Sequence, residues 1–310
     1  MNGVLNINKP AGITSFDVVA IIRKELGIKK IGHAGTLDPM ATGVLVLCLG
    51  EATKLVPYLM DGEKEYRGCL KLGEETTTED RTGDITQKND FLNVSEKDIY
   101  EVFQSFVGEV EQVPPVISAL KHKGKPLYKY AREGNPITPC PRKILIHELQ
   151  IEKINLPFVH FLVRCSKGTY VRSLCRDIGR VLKVGGHLFE LQRTRSGSFR
   201  IDASIELDQV GKNKNISIMS MNEALRDIPS FTVHNLSLSK IKNGAQPHWD
   251  DVDISNLDSS INKWKNGDIV CLLSKSQKLL AIAEIQCDYR ELSTYSRRNP
   301  CMNLLRVFND

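Results

Sequence analysis

Apolar residues recur along this chain in two rhythms. The helical rhythm is heard three times. Val19, Ile22 and Leu26 share one face; Thr14 and Asp17 form a capping box before them, and Gly27 supplies a stop. Ile99, Val102, Phe103 and Phe106 form a second face within residues 95–106. Ser95 and Asp98 cap that helix, Val94 can staple onto Ile99, and Gly108 ends it. Leu174, Ile178, Val181 and Leu182 mark a third helix, which stops near Gly185 and Gly186. The strand rhythm fills the intervals. Residues 3–8 read as a short strand, closed by Lys9-Pro10-Ala11-Gly12, and the unbroken apolar run 44–49 as a buried one. Tyr66, Leu70 and Leu72 share one parity of a strand over 65–72. Residues 143–153 and 158–165 read as paired strands, and 187–193 as another. This order predicts an α+β domain, or an α/β-type mixed sheet. A polar stretch at 208–215 follows. Beyond Pro229 the apolar runs shorten to 269–273, 279–285 and 302–308, separated by turn signals such as Lys265-Asn266-Gly267-Asp268. That spacing predicts a small all-β barrel or sandwich, so the boundary is placed between 1–229 and 230–310.

Composition adds exclusions. The 310 residues, 41% hydrophobic and 25% charged, suit a soluble protein with room for two domains. No apolar run approaches the ~20 residues of a membrane span. The first ten residues contain no apolar core of a secretory signal. The eight cysteines are scattered, with no C-x-x-C pair, which speaks against zinc or a disulfide framework and for a reducing, cytoplasmic setting. There is no P-loop and no strand-linked G-x-G-x-x-G, so no nucleotide cofactor is expected. A net charge of +5 is mild; its placement is more informative. Lys121, Lys123, Lys125, Lys129 and Arg132 crowd a segment that also holds Tyr128 and Tyr130. Such cations can neutralise phosphates, and such rings can stack on bases, so nucleic acid is favoured over a solvated helix. Arg193, Arg195 and Arg200 add positive charge, and Arg193 is expected to join the RNA contacts. The acidic run with Glu74, Glu75, Glu79 and Asp80 reads, for most of its members, as a solvated loop.

One stretch carries candidate chemistry. Residues 32–43 hold three glycines, one proline, one histidine and a single carboxylate, Asp38, just before the buried run at 44–49. Pro39 pushes Asp38 towards extended backbone. Taken alone, a capped turn and a reactive carboxylate fit this loop equally well. No second metal ligand lies at a suitable spacing from His33, so a metal is not expected.

Several separated stretches then resemble one family, the TruB-type tRNA pseudouridine-55 synthases of bacteria. They are Gly3-Val4-Leu5 with Asn8-Lys9-Pro10-x-Gly12; Gly32-His33-x-Gly35-Thr36-Leu37-Asp38-Pro39-x-Ala41-x-Gly43; and Lys64-Glu65-Tyr66. Thr76-x-Thr78-x-Asp80-x-x-Gly83, Ser118 to Lys121 through Gly134, and Ser166 to Leu174 complete the set. The segment 230–310 looks like a PUA domain, a small RNA-binding barrel, on Asn243-Gly244, Lys265-x-Gly267-Asp268 and residues 279–284. The resemblance implies isomerisation of uridine-55 in the T-loop of tRNA to its C-glycoside, without cofactor or metal. It implies Asp38 as the reactive group, either nucleophile or base for the C2′ proton. Arg172 would be its counter-charge, since an opposite charge nearby keeps a carboxylate ionised. Asp80 would be a second acid on Arg172, and Tyr66 would stack on the uracil and help remove the C5 proton. Tyr170 and Leu191 would line the pocket, with Lys9 and Pro10 shaping its floor. The target base must be extruded from the T-arm. His33 would wedge into the gap, and a thumb at about 118–142 would grip phosphates. A monomer acting without guide RNA is expected. A tRNA-folding protein and a guide-dependent synthase of the archaeal and eukaryotic kind are the rival readings.

Overall fold

The computed structural model describes residues 1–212, 216–253, 264–291 and 299–309. Its chain divides into two compact units. One comprises Leu5–Leu47 with Pro57–Ile216, the other Met1–Val4, Cys48–Val56 and Ser217–Asp310.

The chain begins with β1 (Gly3–Lys9), α1 (Ser15–Leu26), β2 (Ile31–His33), β3 (Thr42–Leu49), α2 (Val56–Met60) and β4 (Lys64–Leu72). A small hairpin of β5 (Glu74–Thr76) and β6 (Ile85–Lys88) leads to α3 (Glu96–Ser105) and β7 (Gly108–Gln112). Next come β8 (Lys121–His122), β9 (Lys125–Pro126) and α4 (Leu127–Arg132). Two long strands, β10 (Arg142–Asn155) and β11 (Phe158–Cys165), precede α5 (Val171–Val181) and β12 (Gly186–Ser196). The short β13 (Phe199–Arg200) and β14 (Ile205–Glu206) close the first unit. The expected caps are made. Thr14 Oγ1 accepts from the Asp17 amide while Asp17 accepts from the Thr14 amide, and Ser95 and Asp98 repeat the exchange at α3. Gly27 takes the left-handed conformation at the end of α1.

The sheet of the first unit runs β14-β1-β3-β12-β4-β11-β10-β7, with β2 on β3 and β13 on β12. β4 lies between β12 and β11 and is antiparallel to both. β12 is parallel to β3. This is the mixed sheet the pattern predicts. Its register sets Tyr66 opposite Val163 on one side and Arg193 on the other. Val159, Phe161 and Val163 of β11 are buried, as are Leu174, Cys175 and Ile178 of α5. Phe103 of α3 meets Phe161 edge-on at 5.8 Å. Gly68 lies at the tip of that ring, where a Cβ would sit 2.5 Å from the buried Phe161 Cζ, so only glycine fits without a shift.

The second unit contains α6 (Met221–Ala224), β15 (Ser230–Val233), α7 (Leu238–Lys242), β16 (Val252–Asp253), β17 (Ile269–Leu273), β18 (Leu279–Ile285) and β19 (Met302–Val307). The strands pair in the order β16-β15-β17-β18-β19. Its core is aromatic: Phe231 lies 5.3 Å from Trp264, which stacks on Trp249 at 5.7 Å. The expected barrel is not found. Among the described residues no ladder joins β19 back to β16, and no closed barrel is formed by them. Also among the described residues, no helix is long and apolar enough to cross a membrane.

Seven of the eight cysteines are buried and behave as small core residues, while Cys140 is exposed. Burial pushes the Cys48, Cys271 and Cys301 thiols up to about 12. A neutral thiol held above its unfolded value stabilises the fold fully below pH 9, and that stability is lost as pH rises towards 12. Unfolding free energy is therefore expected to fall steeply between pH 9 and 11 in denaturant titrations. Thiolate absorbance in the folded protein should lag that of the unfolded chain. A flat profile over this range would contradict the burial.

Candidate active site

The loop between β2 and β3 is shaped by residues far from it in sequence. Lys9, fully buried at the end of β1, donates to the carbonyls of Pro10 and Ile13 at 2.8 Å and of Pro39 at 3.2 Å. Burial pushes its amine down to about 8, against the opposing pull of Asp38. Ser15, at the start of α1, makes a reciprocal clamp on Leu37. Its Oγ accepts from the Leu37 amide at 2.9 Å and donates to the Leu37 carbonyl at 3.1 Å. Pro10 is exposed, so of this expected pair only Lys9 sits beneath the loop.

Arg193 completes the mould, and here the sequence reading is corrected. It was expected to grip RNA, but it is 1% exposed. Its guanidinium donates to the carbonyls of Val44 at 2.7 Å, Gly35 at 3.0 Å and Thr36 at 3.4 Å. Its charge also acts on the Tyr66 phenol, opposing the effect of burial there. A cation occupied by the loop's own carbonyls is not available to phosphates. Gly43 makes the close approach possible: its φ is +102°, and a Cβ there would stand 2.2 Å from the Arg193 carbonyl oxygen. Gly43→Ala is therefore expected to destabilise the fold by about 2 kcal/mol or more, through strain and overpacking together. A urea titration reads this out, and an unchanged midpoint would contradict the packing.

Asp38 projects from this mould with its side chain 34% exposed, so it can be reached from the cleft. Arg172, on the first turn of α5, faces it almost fully buried. Nη2 donates to Oδ1 at 3.2 Å, and Nε stands 2.9 Å from Oδ2 as an ion-pair contact off the hydrogen-bond axis. The same guanidinium donates to the carbonyls of Thr78 at 3.0 Å and Ile117 at 3.1 Å. Asp80 stands behind it, with Oδ2 at 3.8 Å from Nη1. The other Asp80 oxygen accepts from Thr78 Oγ1, the Thr82 amide and Thr82 Oγ1 at 2.6–2.9 Å. The structure thus joins Asp38, Arg172 and Asp80 in one chain of charge.

The cleft in front of Asp38 is lined by Tyr66, Tyr170, Leu191, Lys64 and Arg193, among others. Tyr66 is 9% exposed, and burial raises its phenol above the ordinary value. Tyr170 is also raised, chiefly by burial. Its backbone is clamped by Gln112, which accepts from the Tyr170 amide at 2.8 Å and donates to its carbonyl at 3.1 Å. Gln112 escaped the sequence reading; a lone glutamine before a Val-Pro-Pro break carries no signal of its role. Lys64 is buried beneath the cleft, donates to Met60 O at 3.1 Å, and is pushed down to about 8 by burial and then by Arg193. His33 is half-buried at the end of β2. Burial first and the Arg193 charge second lower its imidazole, which favours the neutral form.

The basic segment forms a short hairpin and helix. Lys121, Lys123, Lys129 and Arg132 are exposed. Lys125 pairs with Glu133 and lies 4.6 Å from the Tyr130 ring centre, while Arg132 covers Tyr128 at 5.6 Å. The acidic run is a second correction. Glu74 pairs with Lys71 at 2.6 Å, Glu75 takes Arg180 at 2.7 and 2.9 Å, and Glu79 takes Arg176. Arg172, Arg176 and Arg180 recur at helical spacing, so one edge of α5 receives Asp80, Glu79 and Glu75 in turn.

Comparison with known proteins supports one assignment. The N-terminal domain of the TruB family pseudouridylate synthases matches residues 23–171, and the tRNA pseudouridylate synthase B C-terminal domain matches 172–228. A "tRNA pseudouridine synthase B" of Geotalea uraniireducens is 40% identical over 100% of this chain and 98% of its own. One from Clostridium tetani is 47% identical over 79% of this chain and 86% of its own. Among solved structures, a chain of an H/ACA RNP bound to a substrate RNA containing 2′-deoxyuridine superposes with a TM-score of 0.75. It is 27% identical and covers 99% of this chain and 85% of its own. A buried arginine holding a cleft aspartate, on a mixed sheet shared with these proteins along nearly the whole length, has one consistent reading: the chain belongs to the TruB family of pseudouridylate synthases.

Proposed function

We propose that this chain converts uridine-55 in the T-loop of tRNA to pseudouridine, acting alone, as a monomer and without cofactor. The observation that carries the reading is the Asp38 carboxylate, accessible from the cleft and fixed by two nitrogens of the buried Arg172. In the reaction the N1–C1′ bond breaks, the uracil turns, C5 bonds C1′, the C5 proton is lost and N1 takes up a proton, so the product is an isomer of the substrate. No electrons are gained or lost, so no redox partner is needed. Asp38 starts this sequence as an ionised carboxylate, whether it attacks a carbon or takes the C2′ proton. Arg172 supplies the counter-charge and Asp80 holds Arg172. Tyr66 stacks on the freed uracil, and its hydroxyl helps to remove the C5 proton.

Extruding the base costs a few kcal/mol, offset by stacking and pocket contacts. His33, on the same loop as Asp38, fills the gap left in the RNA. The exposed Lys121, Lys123, Lys129 and Arg132, with Tyr128 and Lys125, grip the T-arm phosphates. The segment 230–310 acts as a PUA-like RNA-binding module beside a catalytic domain of 1–229. The purified protein, incubated with a bare T-arm stem-loop, is expected to form pseudouridine at the position of uridine-55. Activity only in the presence of an added guide RNA would overturn the reading.

A further inference from the structure

The turn at 76–83 carries both groups that hold Arg172 from one side, the Thr78 carbonyl and the Asp80 carboxylate. Between them sits Glu79, whose φ of 61° is a conformation that non-glycine residues seldom adopt. Its backbone is sewn to β12: the Leu188 amide donates to the Glu79 carbonyl, and the Arg81 amide to the Leu188 carbonyl, both at 3.0 Å. Its side chain reaches the other way, to α5. Oε2 accepts from Ser173 Oγ at 2.8 Å, and Oε1 pairs with Arg176 Nη1. Arg176 is itself fixed, donating to the Val113 carbonyl at 3.1 Å and to Asp177 at 2.8 Å. Both partners are largely out of solvent, at 15% and 11% side-chain exposure. Ser173 and Arg176 follow Arg172 by one residue and by one helical turn.

We propose that Glu79 is a positioning residue for the reaction. Its carboxylate fastens the 76–83 turn to α5, sets the spacing of Thr78 and Asp80 from Arg172, and through Arg172 aims Asp38. This rests on the reading of Asp38 and Arg172 as the reacting pair. The chemistry explains the residue type. Glycine would accept the backbone at no cost but would not tether the turn. Aspartate is one methylene shorter than the span being bridged. Glutamate offers two acceptors, one for the Ser173 hydroxyl and one for the Arg176 guanidinium.

The test measures the single-turnover rate and the tRNA dissociation constant for Glu79→Gln, Glu79→Ala, Arg176→Met and the Glu79→Ala/Arg176→Met double variant. Glu79→Gln keeps shape and an acceptor for Ser173 while removing the charge, so it guards against misfolding. Misplacing the reacting groups is expected to slow chemistry about tenfold or more in Glu79→Ala, and less in Glu79→Gln, with tRNA affinity held within about twofold. The double variant is expected to be no slower than the slower single, because the pair acts as one unit. Glu75→Gln, which loses only the solvent-side pair with Arg180, is expected to keep the parent rate. A Glu79→Ala protein that melts earlier but reacts at the parent rate per folded molecule would make Glu79 merely structural and overturn the proposal. If Asp38→Asn also stayed active, the underlying reading would fall with it. If Asp38→Asn were dead, only the role of Glu79 would fall.

Discussion

Asp38→Asn is expected to abolish pseudouridine formation, with a loss of about 10⁴-fold or more in the single-turnover rate. The amide has the shape of the carboxylate and can still accept from Arg172 Nη2. It can neither attack carbon nor hold a proton taken from C2′. The loop that carries it is held by Lys9, Ser15 and Arg193 through backbone atoms and the side chains of other residues. Folding and tRNA affinity should therefore be nearly unchanged. Mapping pseudouridine after incubation, beside filter binding of the same tRNA, reads both quantities. Full activity in this variant would end the assignment. Restored fitness of cells carrying it, with none restored by charge reversal across residues 121–132, would favour a tRNA-folding role instead.

Arg172→Met is expected to damage both activity and stability. Asp80 has a side-chain exposure of only 6%, and Arg172 is its cationic neighbour. Removing one partner of a buried pair leaves the other charge uncompensated, at a cost of about 3–5 kcal/mol. The Thr78 and Ile117 carbonyls lose a donor as well. Asp38, a third exposed, can rehydrate, so most of the stability loss should trace to Asp80. The rate should fall about 10²- to 10³-fold in molecules that still fold, because Asp38 loses the charge that orients it. Arg172→Lys tests geometry against charge. A single ammonium cannot span Asp38 and the Thr78 and Ile117 carbonyls at once, so the activity loss should persist while part of the stability returns. Urea titrations and single-turnover rates separate the two effects. Parent activity in Arg172→Lys would show that charge alone suffices.

Much of this was legible in the sequence because it is local. The capping boxes at Thr14 and Ser95 need residues three apart, and both form. The parity of Tyr66, Leu70 and Leu72 describes the buried face of β4. The motif residues Asp38 and Arg172 do meet, 134 positions apart in the chain. What failed to show was which charges find partners. Arg193 looks in sequence like any arginine in a basic stretch, and only the approach of Gly43 and the loop carbonyls reveals it as an interior group. Glu75 and Glu79 look solvated because their arginines arrive 105 and 97 residues later, on a helix whose apolar face alone announced it. Gln112 was silent for the same reason: its partner is the backbone of Tyr170. Whether the strands of the second unit close into a barrel lies beyond a count of strands, since closure depends on which edges pair.

The loop at 32–43 has almost no internal bonding to keep its form. Its carbonyls are held by Lys9 and Arg193, its amide at Leu37 by Ser15, and its carboxylate by Arg172. It is therefore not portable. Grafted onto another sheet, the twelve residues would bring the aspartate without the shape that presents it. A designer wishing to move this chemistry would have to transplant four side chains from four other segments along with it.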